Sequence, residues 1–400
     1  MFRALGARLT LDHKGVAGVA LFEVAAQRMW SWANDGLKTA VEYTTSSEGL
    51  KTAADSFAEG EFRENGRTVT ALRCDSDNRS LCRVTLQRPD EWDPSILWLT
   101  TVDAVRTGDA VDVGVSVEQD MRHLRVPPSP LAPPLIALLH DFVNAGATAG
   151  TQRLRSSAEV VVGSEQIDSF VESCLLDQGR RLPVVLFSAI KEEDGVYPPN
   201  AGNPALAARE LCGLAHVYVM PRVEDSHRLT RRLALLSVYD GAVRVYWPRF
   251  RLTDPPPRHP LHLRQRLNTA SGPAIIRRVV EAGARSYRPP DGTATLLATR
   301  WRKDEQQRIA VITSDPDPAR QASLLRDELL RVIDAQVALE HDMETLRHQL
   351  LRATERTDEL DSQLTGVRAV PDPATELSGR PSAPIVEAIA PDAGDVALGD

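Results

Sequence analysis

Twelve residues between Leu325 and Leu364 recur at alternating spacings of four and three: Leu325, Leu329, Val332, Gln336, Leu339, Met343, Leu346, Leu350, Ala353, Thr357, Leu360 and Leu364. A strand repeats its faces every two residues and an α-helix every 3.6, so an unbroken repeat of 3.5 over this length admits a supercoiled helix and little else. The spacing predicts a coiled coil over 318–365, about five to six heptads and on the order of 60 Å long at 1.5 Å per residue. Gln336 and Thr357 fall in one class of seam position, where a polar side chain lowers stability and fixes register and strand number. A helix lying on its own domain would show such a pattern over only two or three heptads. Self-association is therefore the expectation, with docking onto another subunit's helix as the competitor.

The chain before this helix divides by period. Residues 19–33 put Leu21, Val24, Ala25, Met29 and Trp32 at helical spacing, and then the period falls to two. Thr68–Cys74, Ser80–Leu86, Ile96–Val105 and Val111–Val117 read as strands, the last pair joined by a turn at Thr107-Gly108-Asp109. This implies an antiparallel sheet with one helix against it and one face in solvent, over residues 1–125. VPPSPLAPP, 126–134, is a stiff connector. Beyond it, over 135–312, helix and strand alternate: LPVVLFS (182–188), AHVYVM (215–220) and AVRVY (242–246) read as three parallel strands, so the expected layer is an open, Rossmann-like α/β sheet. Asn203-Pro204 and Ser226 are read as helix starts, Asp240-Gly241 as a turn, and Thr293–Ile312 as a closing hairpin. The fold class is thus mixed, β-rich then α/β, ending in the long helix. The segment 366–400, rich in Pro, Ala and acidic residues, is expected to be a disordered tail.

The net charge of −8 is unevenly spread. From Arg222 to Arg308 there are eighteen Lys and Arg against eight Asp and Glu, a local excess of +10. Only five lysines occur in the chain, so part of the arginine count reflects composition, but its clustering points to an anionic partner. No apolar run reaches the 18 to 20 or so residues of a membrane span, and Asp12, His13 and Lys14 interrupt the place of a signal peptide's apolar centre, so a cytoplasmic protein is expected. Cys74, Cys82, Cys174 and Cys212 lack paired CxxC spacing and read as free core thiols.

In parallel sheets ligands gather beyond the carboxyl ends of the strands. There the first strand leads to Lys191, Glu192, Glu193 and Asp194, the second to Arg222, Glu224 and Asp225, and the third to Trp247, Arg249 and Arg251. Guanidinium groups beside aromatic rings suit phosphates and bases, which makes Lys191, Arg222, Trp247, Arg249 and Arg251 the candidate ligand-binding set. Glu192, Glu193 and Asp225 are the acidic groups an enzyme would use. Phosphate-loop, dinucleotide, nucleophile-elbow and HExxH motifs do not occur. The HPLH at 259–262, and Asp315 with Asp317, are weak metal-like spacings better read as loop and helix-capping residues, and neither a cofactor nor a metal is expected.

LPVVLFS, LAARELCGLAHVYVM and GAVRVYWPRF together resemble a segment of uncharacterised bacterial proteins from antiviral or other conflict loci, over about 70 residues. The resemblance carries no catalytic signature; it implies a defence-type assembly. Three readings follow: an oligomeric sensor or scaffold that binds nucleic acid or a phosphate-bearing ligand, a divergent Rossmann-like enzyme acting on a nucleotide or nucleic acid, and a purely structural adaptor.

Overall fold

A computed structural model describes residues 2–12, 16–34, 59–64, 66–76, 78–90, 93–119, 133–190, 203–264, 267 and 271–368. The chain divides into two units, Met1–Asp304 and Glu305–Asp400.

The first unit holds two sheets. Strands β1 (Phe2–Leu11), β2 (Gly60–Glu64), β3 (Arg67–Ser76), β4 (Arg79–Pro89), β5 (Leu97–Thr107) and β6 (Ala110–Gln119) form an antiparallel sheet in the order β2-β3-β4-β5-β6-β1. Two short strands after the proline-rich connector, β7 (Thr148–Ala149) and β8 (Gln152–Arg153), extend it beyond β1. The expected hairpin at Gly108 is present, with that glycine at φ +62°. Val111, Val113, Val115 and Val117 are all buried, as strict alternation over a covered face requires. Helix α1 (Gly18–Asn34) packs on that face through Phe22, Ala25, Ala26 and Met29. The opposite face is not left to solvent. Past α6 (Ser271–Ser286) the chain runs over β1 and β6, and a Cβ on Gly114 would sit 2.5 Å from Pro290 and 2.6 Å from the Tyr287 hydroxyl. Glycine is required there because another piece of chain occupies the side-chain position. Beside this crossing, the buried Asp103 carboxylate is held by Arg83 at 2.7 Å.

The second sheet has the order β13-β12-β10-β11-β9, formed by β9 (Glu159–Val160), β10 (Val184–Ser188), β11 (His216–Met220), β12 (Val243–Tyr246) and β13 (Leu261–His262). β9, β11 and β10 are parallel. β12 is antiparallel to β10, with Val184 opposite Tyr246 and Phe187 opposite Val243, which corrects the expected third parallel strand. Every residue of β10 and β11 is buried, since helices lie on both faces. On one face Val185, Phe187, Val217 and Val219 share a single core with α1, with α2 (Pro133–Asn144) and α4 (Pro204–Glu210), and with the first sheet. On the other, Val184, Leu186 and Met220 pack with α3 (Gly163–Phe170) and α5 (Val223–Leu233) in a second core. Asn203 caps α4 through Ala205 N and Leu206 N, with Pro204 at the first helical position, as its sequence demands. All four cysteines are free and buried.

Residues 293–313 form a helix, α7, and not the expected hairpin. The segment holds no Gly, Pro or Asn at its centre, where, Asp304 apart, Arg302 to Arg308 run as helix-forming polar residues. In the second unit α7 ends at Thr313, Asp315 and Asp317 make the turn, Asp317 accepts from Ala319 N at 2.9 Å, and α8 (Pro318–Arg368) follows as a single 51-residue helix. Among the described residues no helix is long and apolar enough to cross a membrane. Of the expected tail at 366–400, residues 366–368 belong to α8 and the rest lies outside the described residues, as do 126–132 of the connector.

Candidate functional site

The direction of β12 divides the expected ligand-binding set. Arg222 follows β11 at the carboxyl end of the parallel strands, whereas Trp247, Arg249 and Arg251 leave β12 beside Val184, at their amino end. A strand of this length separates the two groups by about 13–16 Å. Lys191, Glu192, Glu193 and Asp194 lie outside the described residues.

At the carboxyl end, Asp225 is fully buried. Its Oδ1 accepts from Gly163 N at 3.1 Å and from the Arg228 guanidinium at 2.9 Å. Helix α3 begins after Val162, which offers no capping side chain, so Asp225 supplies the missing acceptor from the neighbouring helix. That makes it a capping group rather than an acid facing substrate. Ser226, expected as a cap, lies within α5, and its hydroxyl is buried without a hydrogen-bond partner among the described residues. Arg222 is exposed.

At the amino end the WPRFR segment is held on every side. Arg180, 2% exposed, donates to the carbonyls of Leu182 (2.6 Å), Tyr246 (3.2 Å) and Trp247 (3.0 Å). Trp247 N donates to His259 Nδ1 at 3.1 Å, and His259 Nε2 lies 3.0 Å from Asp254 Oδ2, which also accepts from Arg251 N. Because Nδ1 receives a proton donor, the ring proton sits on Nε2 and points to Asp254. The His259–Asp254 pair therefore fastens the loop, and the nitrogen a general base would need is occupied. Phe250 is completely buried, edge-on to Tyr246 and His259 at centroid distances of 5.3 and 5.0 Å. Trp247 is half-buried with its ring against the main core, which gives it a packing role where base stacking was expected.

Between these anchors Arg249 takes a left-handed conformation, φ +59°. For a residue with a Cβ that costs about 1–2 kcal/mol and persists only where neighbours fix the backbone. Arg249 and Arg251 are both exposed, and neither has an ion-pair partner among the described residues. Sequence reasoning found these arginines but missed their supports, Arg180, Asp254 and His259. Only the basic pair Arg180-Arg181 before the apolar LPVVLFS hinted at them, as a charge that would be drawn inside.

An arginine alternating with valines in β12 would suit a sheet edge or a polar cleft, yet Arg244 is 3% exposed, between β10 and β13, with its guanidinium on the carbonyls of His259 and Leu235 at 3.1 Å each. Burial lowers its pKa and that of Arg180, since carbonyl dipoles replace water without supplying a counter-charge. His216, at the start of β11, is held at about 4 by burial first and by the Arg180 guanidinium second. The unfolded chain binds a proton near 6.5 that the folded chain refuses until about pH 4, so stability falls as pH drops through that window. The full loss is about 3 kcal/mol. Urea unfolding at pH 7 and pH 4.5 should show His216→Gln losing less stability on acidification than the parent, and parallel losses would refute this origin.

The second candidate surface is the seam of α8. Leu325, Leu329, Val332, Leu339, Met343 and Leu350 are 39, 60, 38, 61, 46 and 70% exposed in the single chain. An apolar row of this length, interrupted by Gln336, is unusual on a protein surface unless another chain covers it.

The chain was compared with family models, with curated proteins and with solved structures. None of the three comparisons gave a match. Among the described residues no cluster of three or more His, Cys, Asp or Glu is placed to hold a metal ion.

Proposed function

We propose that this protein is a coiled-coil-assembled scaffold that presents a rigid arginine loop to a phosphate-bearing polymer, single-stranded nucleic acid in particular. The observation that carries the assembly is the 51-residue α8 with its heptad seam exposed in the single chain. The observation that carries the binding is the loop of residues 247–259, where buried anchors hold Arg249 and Arg251 outward on a conformation that Arg249 would not adopt unaided. Assembly multiplies weak phosphate contacts by raising the effective concentration of each further loop. The enzyme reading draws no support from Asp225, which is sealed and engaged in capping. The sequence resemblance is what suggests a bacterial defence-type assembly as the setting.

The test is titration of a fluorescent single-stranded oligonucleotide across a range of salt concentrations. Replacing Arg249 and Arg251 with Glu should weaken binding at least about tenfold, and should lower the slope of log affinity against log salt by about 1.4, the value for two lost phosphate contacts on a single strand. Equal affinity and slope in both proteins would remove this loop from the binding surface.

A further inference from the structure

We infer that α8 pairs with a second copy of itself in parallel and in register, which places Gln336 of one copy against Gln336 of the other. This rests on the assembly reading above and adds polarity and register to it. Let Leu329, Gln336, Met343 and Leu350 be heptad positions a, and Leu325, Val332 and Leu339 positions d.

Three observations fix the arrangement. The first is hydrogen-bonding capacity. In the single chain the Gln336 amide donates to Glu340 at 3.0 Å, which leaves its second N–H and its oxygen to be matched. In an antiparallel pair an a residue faces a d residue, and every d position from Leu325 to Leu360 is apolar, so any such register buries the unmatched amide groups against hydrocarbon. A parallel, in-register pair sets amide against amide, donor to acceptor. Polar groups at a single a position fix register in this way.

The second is the flank that α7 takes. Within the 305–400 unit, Glu305 pairs with Arg331 at 3.0 Å and Arg308 with Glu328 at 3.7 Å, so the end of α7 lies along the g and c positions of α8. The opposite flank carries Leu330, Ile333 and Val337 at b and e, exposed by 51, 45 and 60%. Parallel pairing brings the g flank of each helix to the e flank of the other, so the α7 segment on one copy comes to lie beside Leu330 and Ile333 of the second. Antiparallel pairing sets e against e and leaves this apolar flank without α7. The attractions between e positions that favour opposite polarity, Glu340 with Arg347 and Arg326 with Asp361, remain in solvent where such pairs contribute little.

The third is area. A seam about 60 Å long and about 10 Å wide covers on the order of 600 Å² per copy, or about 1,200 Å² in total, which reaches the lower limit of stable interfaces before the α7 contact is added.

The experiment uses the full chain. Native mass should give two copies. Leu329→Cys and Leu350→Cys, made separately and oxidised mildly, should each form a covalent dimer, against a low background because Cys74, Cys82, Cys174 and Cys212 are buried. These positions lie about 30 Å apart along the helix, so an antiparallel pair allows cross-linking at one of them at most. A two-copy mass with one or no cross-link overturns the polarity and leaves the assembly reading standing. A mass above two copies overturns the pairing, and a monomer overturns the assembly reading itself. Far-ultraviolet circular dichroism of both variants confirms that α8 is retained.

Discussion

Replacing Phe250 with Ala should destabilise the first unit by about 3–5 kcal/mol, the usual cost of removing a phenyl ring from a site that cannot collapse around the gap. Phe250 is fully buried and meets Tyr246 and His259 edge-on, and both neighbours are fixed, Tyr246 by its hydroxyl on Leu236 O at 2.8 Å and His259 by Asp254 and Trp247 N. Little can relax into the cavity. The effect should be local as well as global, because Phe250 is the anchor immediately after Arg249, whose left-handed backbone needs restraint on both sides. Hydrogen exchange at the Trp247 and Arg251 amides, both bonded within the loop, should accelerate more than exchange in β10. Oligonucleotide affinity should fall although no charge has been removed. An unfolding free energy from urea titration within about 1 kcal/mol of the parent, or uniform exchange, would show that the loop does not depend on this ring.

The parts of the fold legible from sequence are those whose burial leaves a period. Val111 to Val117 alternate because one side of β6 is covered by α1, and the α8 repeat was readable over its whole length because nothing interrupts it. β1 carries the same period, with Leu5, Ala7, Leu9 and Leu11 buried and alternating with Gly6, Arg8 and Thr10, but the crossing of Tyr287 that requires glycine at position 6 left no mark in it. The polarity of β12 left no mark either: four buried residues read alike in both directions, and direction is settled by long-range bonds such as Gly241 N to Ala189 O. That single reversal carried Trp247, Arg249 and Arg251 to the other end of the sheet from Arg222. Arg244 and Arg180 show the same limit, since an arginine in an apolar run suggests an edge, and only the fold reveals carbonyls gathered to receive it.

Glutamate at both Leu329 and Leu339 should abolish assembly. Both side chains are more than half exposed in the single chain, so the substitutions cost the isolated helix little, and Glu is among the better helix formers. In a pair, four leucines are lost from the seam. Each contributes about 2–3 kcal/mol when buried, and every 1.4 kcal/mol is tenfold in affinity. The expected outcome exceeds a thousandfold even if half of that burial is recovered elsewhere, since four carboxylates would then have to enter an apolar interface. Native mass should move from two copies to one at micromolar protein while helicity is kept. Leu351→Glu is the control, because Leu351 is 61% exposed but lies off the seam. One added charge and one lost leucine per copy there should leave the dimer intact. If Leu351→Glu dissociates the protein as fully as the double variant, the heptad does not define the interface. If neither does, α8 is not what joins the copies. Oligonucleotide binding by the dissociated variant should also fall towards the affinity of a single arginine loop, since each loop would then act without the effective concentration that pairing supplies.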